Sequence, residues 1–138
     1  METKARIVDY FYAMVHDRPG EACKFLSWLA REEVNLLAFS AVPMGHEHTQ
    51  LVIYPESAER LVRAAKSSGY TLTGPRRAVI IQGDDRLGAL VGYLERLYDA
   101  QINVSSCTGV TDGRGGYGYV IHLRTEDMDR AAEVLATG

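Results

Sequence analysis

The chain has 138 residues, 46% of them hydrophobic and 24% charged, with a formal net charge of −3. This composition supports a buried core and excludes a disordered chain, while Lys and Arg scattered under a net negative charge give little hold on nucleic-acid phosphates. No stretch approaches the roughly 20 apolar residues of a membrane span, and Met1-Glu2-Thr3-Lys4 lacks the apolar core of a secretory signal, so a cytoplasmic protein without membrane contact is expected.

In chain order, Ile7 to Val15 is rich in β-branched and aromatic residues and reads as a strand. His16-Asp17-Arg18-Pro19-Gly20 ends it; Asp17 is placed to cap the following helix, and Pro19 suits a first turn whose amides have no partners. Ala22, Phe25, Leu26, Leu29 and Ala30 then recur at helical spacing and form one apolar stripe that needs a sheet to cover. Val34 to Val42 reads as a second strand, Pro43 to His48 as a polar turn and Gln50 to Tyr54 as a third strand, which makes a hairpin. Pro55-Glu56-Ser57 interrupts the pattern before a helix over Ala58 to Ser68, with Leu61, Val62 and Ala65 on one side and Gly69 as its C-terminal cap. Tyr70-Thr71-Leu72 is a short fourth strand. Beyond a brief Gly74-Pro75 joint come a strand at Ala78 to Ile81, then a helix with Leu90, Val91, Leu94, Leu97 and Tyr98 on its stripe. A strand from Ile102, a turn at Asp112 to Gly116, a strand from Tyr119 to Leu123 and a helix from Met128 to Ala136 complete the order.

The second half thus restates the first. Asp17-Arg18-Pro19-Gly20 is answered by Asp85-Arg86-Leu87-Gly88 at an offset of 68 residues, and the offset holds without a gap. It pairs Val34-Asn35-Leu36 with Ile102-Asn103-Val104 and Val52-Ile53 with Val120-Ile121. Such a period exceeds that of a solenoid, so each copy is expected to be a small domain with its own core, at 1–73 and 74–138. Strand, helix, strand, strand, helix, strand defines the fold class: α+β, two ferredoxin-like βαββαβ repeats, with antiparallel sheets and the helices on one face. On this reading the second repeat lacks its last strand, leaving an open edge unless the N-terminal segment or a partner chain fills it.

The doubled Asp-Arg-x-Gly corner between first strand and first helix, with Val34-Asn35-Leu36 opening the second strand, resembles the ACT domains, small βαββαβ modules that bind amino acids and regulate biosynthetic enzymes. The resemblance covers nearly the whole chain and implies a stand-alone tandem ACT protein that is not an enzyme and needs no cofactor. It further implies a homodimer and an enzyme partner regulated in trans. In that family the ligand lies where two units meet, touching the corner of one and the second-strand region of the other. The implied ligand contacts are His16, Asp17, Arg18, Pro19, Gly20, Asn35 and Leu36 in the first copy, and Asp85, Arg86, Leu87, Gly88, Asn103 and Val104 in the second. Asp17 departs from the serine-binding module of phosphoglycerate dehydrogenase, which has asparagine there, whereas Asn35 matches it.

The chemistry of these residues suits a zwitterion independently of the family. A helix start presents unpaired amides to a carboxylate, glycine admits the ligand to the backbone, and an aspartate can face an ammonium. The plainer reading is that Asp, Gly and Asn here are ordinary cap, turn and strand-start residues. Pro19 stiffens the first corner where Leu87 leaves the second unrestrained, which favours the first as the better-formed pocket.

Other patterns are read as structural. Cys23 and Cys107 do not occupy equivalent repeat positions and are expected to be reduced and packed. His46-Glu47-His48 lacks a third metal ligand nearby, so no metal is expected. The glycines from Thr108 to Gly118 lie between strands and not before a helix, which makes a flexible hairpin and not a phosphate cradle. His122 falls within a strand, and neither thiol has a base placed beside it. A purely structural dimerisation module and an RNA-binding protein displaying Tyr10-Phe11-Tyr12 are the competing readings.

Overall fold

In strand β1 (Lys4–His16) successive side chains take opposite faces, so Phe11, Ala13 and Val15 turn into one core while Tyr10, Tyr12, Met14 and His16 share the other side. The computed structural model describes residues 4–84 and 86–136, which leaves Asp85 outside the described residues. The chain continues through α1 (Glu21–Arg31), β2 (Leu36–Met44), β3 (His48–Pro55), α2 (Ala58–Ala65), β4 (Leu72–Asp84), α3 (Val91–Asp99), β5 (Val104–Thr111), β6 (Gly116–Leu123) and α4 (Met128–Ala136). A 3-10 turn at Thr125–Asp127 leads into α4.

Two compact units result. One is Asp9–Arg76; the other joins the residues from Arg77 onward to those up to Val8. In the first unit the strand order is β2-β3-β1-β4, and in the other β5-β6-β4-β1, each the arrangement of a ferredoxin-like βαββαβ module. The β1–β3, β2–β3, β4–β6 and β5–β6 pairs are all antiparallel. The missing last strand of the second repeat is therefore supplied by the N-terminal segment: Arg6 donates to the Gln82 side chain at 3.2 Å, and Ala5 and Ile7 pack on that unit's core. Each unit takes its fourth strand from chain that the repeat pattern assigns elsewhere, which moves the division away from residue 73.

The first core joins Phe25, Trp28 and Leu29 of α1 and Leu61 and Ala64 of α2 to Phe11, Ala13, Val15, Leu51 and Ile53 of the sheet, so both helices cover one face. In the other unit Leu97 of α3 and Met128, Ala131 and Leu135 of α4 cover Val79, Ile81, Ile121 and Leu123. The repeat extends to backbone detail. Both first helices end through a left-handed residue, Glu33 at φ 59° and Gln101 at φ 58°. Both close with an amide returning to the third-last helical carbonyl: Val34 N–H to Leu29 O at 2.9 Å and Ile102 N–H to Leu97 O at 2.8 Å.

Five local expectations are corrected. Asp17 does not cap α1; the N-cap is Gly20 at φ 89°, and no side chain caps this helix start. Gly74-Pro75 is no joint, and Tyr70 to Leu72 is no separate strand, because β4 runs unbroken for 13 residues. Gly74 permits that course: at φ 139° its backbone lies so close to β1 that a Cβ would stand 2.9 Å from the Tyr10 carbonyl oxygen. The α3 stripe is narrower than expected, since Val91 is 52% and Tyr98 79% exposed, and the helix packs through Leu90, Tyr93, Leu94 and Leu97 instead. Finally, α2 stops at Ala65, with Val62 exposed and Gly69 lying beyond a Ser67-Ser68 turn.

Candidate functional site

The first corner is built by the end of β1 and by the hairpin opposite it. Register pairs His16 with His48, which brings the β2–β3 turn beside the chain leaving β1. The Asp17 N–H donates to the Glu47 carbonyl at 2.8 Å and fixes that approach. His16, Asp17, Arg18, His46 and Glu47 line an open cleft of about 510 Å3. The His16 and His48 rings stack at 5.4 Å on its flank.

The charges in this cleft have both signs. Asp17 and Glu47 are carboxylates, and Arg18 is a cation whose guanidinium leans toward Glu21 at 3.4 Å, exposed enough to leave it free to turn. Beside them α1 begins without a side-chain cap, and its Glu21 N–H turns back to the Arg18 carbonyl at 3.3 Å. A Cβ on Gly20 would meet nothing within 4 Å, which leaves the helix start accessible. Release of Asp17 from capping frees its carboxylate for a bound cation. Carboxylates could meet an ammonium here and Arg18 a carboxylate, which is chemistry that suits a zwitterion.

The second corner is equipped differently. Arg86, Leu87 and Gly88 are exposed, Leu87 fully so, and α3 begins only at Val91 after a turn in which Ala89 N–H reaches Arg86 O at 3.0 Å. Its hairpin carries Arg114 and Gly115 where the first carries His46 and Glu47. The Asp112 carboxylate is spent on the turn itself, accepting from Arg114 N–H at 2.6 Å and Gly116 N–H at 3.0 Å. Those two backbone bonds hold its pKa below the ordinary carboxylate value. The hairpin expected to be flexible is tied by its own aspartate.

Within a unit the corner and the strand-start asparagine are not neighbours. Leu36 pairs with Pro55 and Met44 with His48, so Asn35 and the Asp17 corner lie at opposite ends of β3, seven residues or about 23 Å apart. Asn35 instead donates to Glu56 at 3.3 Å while its carbonyl accepts the Glu56 N–H at 2.8 Å. Leu36 is part-buried on the first core. In the other unit Val104 pairs with Leu123 and Asp84 with Gly116, so Asn103 and Val104 are equally remote from Arg86 to Gly88.

His46 and Glu47 are cleft residues that the repeat alone does not single out; the signal for them is the hairpin register, which sets the turn against the end of β1. Tyr10-Phe11-Tyr12 is not a display of stacking rings, because Tyr10 is 7% and Phe11 2% exposed. Cys23 and Cys107 are both exposed residues and not packed ones, and partial desolvation of its sulfur raises the Cys107 pKa. Among the described residues no three His, Cys, Asp or Glu side chains are grouped to hold a metal, and no helix is long and apolar enough to cross a membrane.

No family model and no curated protein matches the sequence. The fold has solved counterparts. Protein BT0572 from Bacteroides thetaiotaomicron superposes with a TM-score of 0.78 at 20% identity, over 96% of this chain and 89% of that one. The ligand-free regulatory subunit of aspartate kinase from Thermus thermophilus gives 0.60 at 14% identity, over 96% and 95%. The corresponding subunit from Thermus flavus gives 0.53 at 14% identity, over 99% and 96%. The chain shares the fold of these structures, α+β with two ferredoxin-like units.

Proposed function

We propose that the chain is a non-enzymatic regulatory protein that binds a free amino acid in the first corner and passes its occupancy to a partner enzyme in trans. The observation that carries the reading is a cleft with carboxylates at Asp17 and Glu47 and a cation at Arg18, beside an uncapped helix start. The likeness in fold to aspartate kinase regulatory subunits supports it from outside the site. A ligand that touches both a corner and a strand-start asparagine needs the two from different ACT units, since one unit keeps them at opposite ends of a strand. A homodimer provides such a pairing, in a tandem ACT protein of the cytoplasm.

Occupancy alters a partner only as far as the ligand prefers one arrangement to the other. Calorimetric titration with the twenty amino acids tests the reading. At least one is expected to release or absorb heat with the wild type, and Asp17→Asn is expected to weaken that binding by about tenfold or more through loss of the ammonium partner. Absence of heat and of any thermal shift with all twenty refutes the reading and leaves a structural dimerisation module, whose charge-free and exposed edge strand β5 would then be the feature to explain.

A further inference from the structure

We propose that the helix-free face of the first unit carries a second binding site, for a small carboxylate that bears no ammonium group, of the 2-oxo acid class. The site is a cleft of about 600 Å3, well apart in character from the first corner and built within the residues 9–76. Tyr12 and Met14 of β1 and Gln50 of β3 form its floor, because they occupy the strand positions that alternate with the core residues Phe11, Ala13, Leu51 and Ile53. Thr71, Thr73 and Arg76, from the chain entering β4 and from β4 itself, form its wall. Its size is that of pockets that enclose a small metabolite.

The charge of this cleft has one sign. Among the described residues Arg76 is the sole charged one in its lining, and no carboxylate lines it. The guanidinium is held over the Tyr12 ring at 5.2 Å, a contact that fixes its position without neutralising it. The Tyr10 phenol, hydrogen-bonded with Arg76, does not neutralise it either, because burial, reinforced by Tyr12 and opposed by Arg76, pushes Tyr10 up to about 12. Arg76, anchored by Tyr10 and Tyr12, therefore offers its remaining N–H donors and an uncancelled positive charge to a carboxylate.

The remaining lining matches the rest of such a molecule. Two threonine hydroxyls and the Gln50 amide can donate to a 2-oxo or hydroxyl oxygen, and the Tyr12 ring with the half-exposed Met14 can cover an apolar chain. An amino acid of the same skeleton would bring an ammonium that finds no anion here and meets the Arg76 charge. The two clefts thus divide by charge: both signs at Asp17, Arg18 and Glu47, and one sign at Arg76. The second assignment does not depend on the first.

Amide chemical shifts recorded while titrating pyruvate, 4-methyl-2-oxopentanoate and phenylpyruvate, each against alanine, leucine or phenylalanine, test it. At least one oxo acid is expected to move the amides of Tyr12, Gln50, Thr71 and Thr73 and to bind about tenfold or more tightly than its amino acid. Arg76→Gln, at an exposed position that leaves the fold intact, is expected to remove the response, Arg76→Lys to retain part of it, and Asp17→Asn to leave it unchanged. Three silent oxo acids, equal shifts from the paired amino acids, or a response that survives Arg76→Gln each overturn the proposal. Failure of the first corner to bind amino acids would leave these shifts untouched.

Discussion

The two corners share a position in the repeat and differ in what lies around them. At the first, the hairpin tip brings Glu47 and His46 to Asp17 and Arg18, and the helix starts at once behind an open glycine. At the other, the tip carries Arg114 and Gly115, Asp112 is committed to its own turn, and an extra turn delays the helix to Val91. A duplicated module keeps its core pattern and its helix closures because packing enforces them. Its loops are free to diverge, and binding chemistry resides in the loops.

The comparison can be broken first at the cores, where the largest effects are expected. Phe25→Ala should cost about 3–5 kcal/mol and Leu97→Ala about 2–5 kcal/mol in urea denaturation, as both side chains are fully buried. Phe25 and Tyr70 pack on Trp28 at 5.4 and 4.8 Å, so only the first substitution should change native tryptophan emission. A change from Leu97→Ala as well would show that the cores are not separate.

Gly74→Ala should cost about 1–3 kcal/mol by the same measurement, because the residue combines positive φ with a backbone contact that a methyl group violates. Gly20→Ala, with open space around it, should cost less.

The second-helix starts sharpen the contrast further. Ser57 accepts from Arg60 N–H at 3.2 Å and caps α2, whereas the equivalent Thr125 begins a 3-10 turn that no side chain caps. Ser57→Ala should therefore destabilise by about 0.5–2 kcal/mol, and Thr125→Ala by under about 0.5 kcal/mol. Equal losses would contradict the difference.

The smallest effect concerns one repeat position occupied by Tyr54 in the first copy and His122 in the second. Burial lowers the His122 pKa, since desolvation disfavours the imidazolium. The folded state then binds its proton more weakly than the unfolded chain. The resulting stability is present above the ordinary histidine value of about 6.5 and is lost as pH falls through the lower folded value. Denaturation midpoints measured from pH 7 down to about pH 5 should fall less in His122→Gln than in the wild type.

Much of this was legible in the sequence. The offset of 68 residues located both modules, and apolar spacing located the helices, because periodic burial leaves a periodic trace. What escaped depended on pairing between distant segments. Gly74-Pro75 is local punctuation that a close approach to Tyr10 converts into continuous strand, and the fourth strand of the second repeat is Lys4 to Val8, far away in the chain. The same reasoning explains the site. Asp17 and Arg18 are visible in the motif, but Glu47 joins them only through strand register, and Asn35 is carried to the far end by that register. Arg76 over Tyr12 brings together residues with no pattern linking them in sequence.

Amide shifts of the wild type recorded with a mixture of the twenty amino acids put the account most directly at risk. It predicts movement at Asp17, Gly20 and Glu47 and stillness at Arg86, Leu87 and Gly88. A first corner that stays silent, or a second that responds equally, would contradict it.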